Sequence, residues 1–152
     1  MDTSDGRTGQ GHRLLQLGML LFLCALFVGL AVPQFAVPRI ALSAHLLGIM
    51  QSLFLMVTGL LWPRLRLAPA LFRITFWLVV YGCLAPWTAN VLAAIWGAGG
   101  AMLPMAAGQA HGSPLQEGII AVALRTGGAS LIVVAILILW GLRVSVTKQP
   151  GK

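Results

Sequence analysis

The run 14-LLQLGMLLFLCALFVGLAV-32 carries no charge and only one amide, Gln16. As a helix rising 1.5 Å per residue it spans roughly 28 Å, about the thickness of a bilayer's hydrocarbon core. The run exceeds the usual core of a signal peptide, and no small-x-small cleavage site follows it directly, so it is expected to persist as a mature helix. Pro33 and Pro38 end it and force a short extended link.

Further apolar stretches follow over 40–62, 70–96 and 114–143, separated by the basic turn Pro63-Arg-Leu-Arg-Leu-Ala-Pro69 and by one long apolar loop over 97–112. The expected fold is therefore all-α, an integral membrane four-helix bundle over 14–143. Residues 1–13 form a flexible head and 144–152 a short tail. Pro86 falls inside the third span, where it removes a backbone hydrogen bond and predicts a kink. Ser113-Pro-Leu-Gln116 has the capping-box pattern of a helix start, with Pro at the first helical position.

Composition agrees with this reading. Of the 152 residues 59% are apolar and 9% charged, where soluble domains carry about a quarter charged. The net charge of +7 does not mark a nucleic-acid surface, because the basic residues flank the apolar runs. Four spans put both termini on one side. Arg7, Arg13, Arg64, Arg66, Arg73, Arg143, Lys148 and Lys152 lie on that side and only Arg39 on the other, which predicts cytoplasmic termini and a multi-pass protein of the inner membrane. Glu117 is the only acid beyond the head, so no carboxylate pair exists for glycosidase-type chemistry or an all-oxygen metal site. Cys24 and Cys83, without CxxC spacing, read as small buried side chains. Gly48 and Ser52, at small-xxx-small spacing, and Gly127-Gly128 offer close helix contacts within or between subunits.

With this topology His45, Gln51, Asn90, Trp87, Thr88 and Arg125 fall in the outer half of the bilayer. His45 has two readings: an interfacial histidine bonded to a backbone carbonyl, or the axial ligand of a haem, since imidazole suits iron. No second intramembrane histidine exists, so such a haem would be five-coordinate with one face open. Arg125, costly at a helix centre, needs a partner or a wet cavity, and a haem propionate would supply one. Glu117 lies about 12 Å away along the same helix, too far for a direct pair. Gln51 and Asn90 serve either as interhelical hydrogen-bonding glue or, beside His45, as ligand-orienting amides. Trp77, Trp87 and Trp96 are either packing residues or walls for an aromatic substrate.

Ala44-His45-Leu-Leu-Gly48, Gly59-Leu-Leu-Trp62, Tyr81-Gly82, Asn90 and Trp96-Gly-Ala-Gly99 together resemble hydroxylaminobenzene mutase and, more distantly, styrene oxide isomerase, over about 44–100. The resemblance implies a small four-helix membrane isomerase, assembled as a homotrimer with ferric haem b between neighbouring subunits. His45 matches the axial histidine, Gln51 an asparagine near the open iron face, and Asn90 a second asparagine. Gln51 is one methylene longer than that asparagine, and the tyrosine that follows the second asparagine in styrene oxide isomerase is Ala94 here. Loss of that hydroxyl turns the expectation toward arylhydroxylamines rearranged to 2-aminophenols. Here His45 holds iron, Arg125 meets the haem, Gln51 and Asn90 orient the substrate, and Trp87 or Trp96 lines the ring site. The alternatives are an epoxide isomerase giving aldehydes and a non-catalytic haem-binding or electron-transfer subunit.

Overall fold

The computed structural model describes residues 3–143, all of whose regular elements are helical. They are α1 (Thr3–Leu30), α2 (Pro38–Leu61), α3 (Pro69–Trp96), the single turn α4 (Pro104–Ala107) and α5 (Pro114–Arg143), with 3₁₀ turns at Val32–Gln34 and Trp62–Arg64. α1, α2, α3 and α5 are each long and apolar enough to cross a membrane. Many large apolar side chains point outward, among them Leu30, Met50, Leu60, Trp77 and Ile132, as expected where the surrounding medium is hydrocarbon. The four expected spans are present; the tail over 144–152 lies outside the described residues.

The first span continues back into the head as helix. α1 begins at Thr3, and at Gln10 and Gly11 it meets the end of α2. A Cβ added to Gly11 would stand 3.0 Å from the Gly59 carbonyl oxygen and 3.2 Å from the Trp62 Cβ. Trp62, fully buried, donates its indole N–H to Gln10 Oε1 at 3.2 Å and meets Phe72 and Phe76 edge-on at 5.6 and 6.2 Å. Trp62 thus gives Gln10 and Gly11 a place to dock.

Two antiparallel hairpins make the bundle: α1 lies along α2, α3 lies along α5, and α2 joins them by packing on α3. The first hairpin is a seam of small residues. Gly11 faces Gly59, Gly18 faces Ser52 and Ala25 faces His45, each step advancing seven residues on α1 and retreating seven on α2. A seven-residue repeat keeps one stripe of a helix turned to its neighbour, and small residues on that stripe let the backbones approach.

In the second hairpin α3 continues through Pro86, whose ring packs on Gly127 of α5 so closely that a side chain there would overlap it. Gly82 meets Leu131 in the same interface, so Gly127 acts in helix contact within the chain, as do Gly48 and Ser52. At the other end of the bundle from Trp62, residues 97–112 fold back over the helix ends. Leu103, Ala106 and Ala107 pack with Ile40 and Ala41 of α2, Ala93 and Ala94 of α3, and Ile120 of α5. The apolar loop thus lies on the protein as a cap.

Candidate functional site

His45 lies two turns into α2, just beneath the cap. Its Nδ1 is 2.8 Å from the carbonyl oxygen of Ala25 on α1. A carbonyl can only accept, so Nδ1 carries the proton and a neutral ring leaves the lone pair on Nε2. The ring rests on Gly29, where a Cβ would stand 2.5 Å from Nδ1. Ala25 and Gly29 are one turn apart and act together: one anchors the imidazole, the other makes room for it. Neither stands out in the sequence as a partner of His45, although Gly11, Gly18 and Ala25 at intervals of seven mark that face of α1.

One turn further along α2, Gly48 receives the indole of Trp87, with the side chain of Ala25 against the same spot. The Gly48–Trp87 and Trp62–Phe72 contacts fix the antiparallel register of α2 on α3, which puts Asn90 at about the height of His45. Gln51 lies a turn beyond Gly48. Gln51 and Asn90 are 5% and 3% exposed, so the bundle takes both amides inside. Gln51 Oε1, Asn90 Oδ1 and Trp87 Nε1 are buried without any hydrogen-bond partner among the described residues. Ordinary interhelical glue would be bonded across the interface, and these atoms are not.

The other expected site residues stand apart. Trp96 ends α3 at the rim, nine residues beyond Trp87, and is exposed. Arg125 is exposed on α5, whose principal packing partner is α3, so the fold of one chain does not bring it to the imidazole. Glu117 is spoken for. Its carboxylate accepts the backbone N–H groups of Gly99 at 2.8 Å, Gly100 and Gly112 at 3.1 Å and Ala101 at 3.2 Å, gathering both ends of the cap around one charge. Beside it, Gln116 Oε1 accepts the Ser113 N–H and Ser113 Oγ accepts the Gln116 N–H, the reciprocal pair of a capping box. Neither the glutamate clasp nor the contact of Tyr81 Oη with Thr126 Oγ1 at 2.6 Å has a signal in the sequence.

Grooves of about 510 and 520 Å³ open along α3 and α5 around Tyr81 and Ile119, and one of about 450 Å³ opens between α1 and α3 beside Gln16 and Trp77. None is lined by His45, Gln51 or Asn90. No three His, Cys, Asp or Glu side chains converge among the described residues, so a bare ion lacks a protein ligand set there. The candidate site is a single oriented imidazole and, within about two turns of it along the bundle, two buried amides whose oxygens are unpaired.

Residues 10–143 match the family model described as styrene oxide isomerase. The chain belongs to the styrene oxide isomerase family. It is 49% identical to hydroxylaminobenzene mutase HabB of Ectopseudomonas oleovorans over 87% of this chain and 80% of that protein. Hydroxylaminobenzene mutase HabA of the same organism is 39% identical over 85% of this chain and 96% of its own length. No solved structure matches the chain. Likeness of this extent makes it a membrane isomerase of the mutase kind. The family match runs through the whole of α5 and most of α1, well beyond the residues 44–100 that carried the resemblance.

Proposed function

We propose that the protein converts arylhydroxylamines such as hydroxylaminobenzene to 2-aminophenols, with a ferric haem b held by His45, as a homotrimer in the inner membrane with cytoplasmic termini. The observation that carries the reading is the 49% identity to HabB across most of both chains. The imidazole fits the cofactor: the Nδ1 bond to Ala25 and the support of Gly29 fix tautomer and ring, which is how metal-binding histidines are held. Arg125 would neutralise a propionate. Because it is exposed on α5, away from His45 within one chain, this role calls for a site shared between subunits.

When bound, the ferric haem supplies a Lewis acid that assists N–O heterolysis. The protein's own part is positional. Gln51 and Asn90 bond the polar end of the substrate, and Trp87, rather than the outlying Trp96, flanks its ring. The N–O bond breaks, a C–O bond forms at the ortho carbon, and the displaced ring proton ends on nitrogen. Atoms are conserved and no net redox occurs. Excluding water matters, since solvent would otherwise capture the electron-deficient product of N–O cleavage.

An epoxide isomerase giving aldehydes is favoured by one observation, the description of the matching family. Against it, residue 94 is a fully buried alanine packed with Ile40 and Ala41, so no hydroxyl is offered there. Detergent-purified protein tests both readings. Hydroxylaminobenzene is expected to give 2-aminophenol, with a Soret band that His45→Ala removes together with activity. Protein without haem overturns the Lewis-acid mechanism, and styrene oxide consumed in preference to hydroxylaminobenzene overturns the substrate.

A further inference from the structure

Trp87 contributes more than a ring. Its Nε1 is buried and unpaired, held against Gly48, the one residue type whose lack of a Cβ leaves that space; a Cβ there would stand 2.5 Å from the nitrogen. Asn90 follows Trp87 by one turn on α3 and Gln51 follows Gly48 by one turn on the antiparallel α2, so the register puts two buried amides, whose oxygens also lack partners, one turn to either side of the level of the indole N–H. Phenylalanine would fill the same space with no polar atom to strand in an interior where each unpaired group is costly.

An indole N–H can only donate, and an amide oxygen can only accept. The set therefore asks for a ligand carrying both an acceptor and donors. An arylhydroxylamine has them: lone pairs on oxygen, and N–H and O–H groups. An epoxide offers an acceptor alone and would leave the amide oxygens unpaired. We infer that the Trp87 indole N–H donates a hydrogen bond to the hydroxyl oxygen of a bound arylhydroxylamine, making Trp87 a substrate-positioning and specificity-determining residue. This rests on the mutase reading for the identity of the substrate.

Binding of two probes that cannot undergo ortho transfer tests it: N-(2,6-dimethylphenyl)hydroxylamine, and 2,6-dimethylaniline, which lacks the oxygen. The intact protein is expected to bind the hydroxylamine about tenfold more tightly than the aniline, and Trp87→Phe to abolish most of that ratio. A purely structural role would weaken both ligands together and leave the ratio alone, which overturns the inference. Replacement of Trp87 by benzothienylalanine, isosteric but without the N–H, probes the same hydrogen bond if the phenylalanine variant does not fold. An unchanged ratio in protein that still makes 2-aminophenol sinks the hydrogen bond and leaves the mutase standing. Absence of 2-aminophenol from unmodified protein sinks the mutase, while the probe ratio still reports on the N–H.

Discussion

The Nδ1 of His45 on α2 lies 2.8 Å from the carbonyl oxygen of Ala25 on α1, twenty residues earlier in the chain. That oxygen is the i−4 acceptor of Gly29, the residue on which the imidazole rests, so one turn of α1 both bonds the ring and makes room for it. The sequence offered a backbone-bonded histidine and a metal-binding histidine as alternatives. They are compatible, because the bond uses Nδ1 and leaves Nε2 with its lone pair.

Gly29→Ala places a methyl within 2.5 Å of Nδ1 and forces the ring to turn or withdraw. The expected outcome is protein that still folds but has weaker haem retention, by about tenfold, since disturbing the groups that orient a metal-binding histidine typically costs about ten- to a hundredfold in metal affinity. Haem content by absorbance after dialysis against apomyoglobin measures it, and unchanged retention refutes the assignment.

Gly18→Val tests the seam that sets the height of His45. A Cβ at residue 18 meets Met56 Cγ at 2.6 Å and the Ser52 carbonyl oxygen at 2.9 Å, and the latter cannot move without displacing α2. Overpacking of this kind costs about 1–3 kcal/mol, to be read as a lower midpoint in detergent-titrated unfolding. A midpoint equal to that of the unaltered protein would show that α1 and α2 do not approach so closely.

Glu117→Ala removes the acceptor of four backbone N–H groups from Gly99, Gly100, Ala101 and Gly112. The cap should loosen while the four spans stay intact. Hydrogen exchange at those amides is expected to quicken about tenfold or more, since hydrogen bonds to a charged group contribute about 1.5–3 kcal/mol each and losing even one exceeds a tenfold factor. Helical content is expected to stay within error.

Tyr81→Phe severs the contact of Tyr81 Oη with Thr126 Oγ1, a hydroxyl that also bonds the Val122 carbonyl at 2.7 Å. Both residues are exposed and belong to the α3–α5 face, apart from His45 and Gln51. Activity toward hydroxylaminobenzene should remain within about twofold, with stability lowered by about 1 kcal/mol or less. A large loss of turnover would move the reacting centre toward Tyr81.

The four membrane spans were legible in the sequence because the bilayer imposes a length and an apolar composition on each segment separately, and neither needs knowledge of a neighbour. The capping box at Ser113 and Gln116 was legible for the same reason, its partners being three residues apart. The chemical candidates His45, Gln51 and Asn90 stood out because polar groups are rare in such runs. Tertiary structure decided what those candidates touch. The carbonyl of Ala25, the open space at Gly29 and Gly48, the docking of the head on Trp62 and the four amides on Glu117 all join residues that sequence proximity does not pair. They depend on which stripe of each helix faces its neighbour and at what register. Hydrophobicity cannot set that inside a membrane, where lipid is as apolar as leucine; close packing of small residues sets it, and that becomes visible only when two helices are laid together.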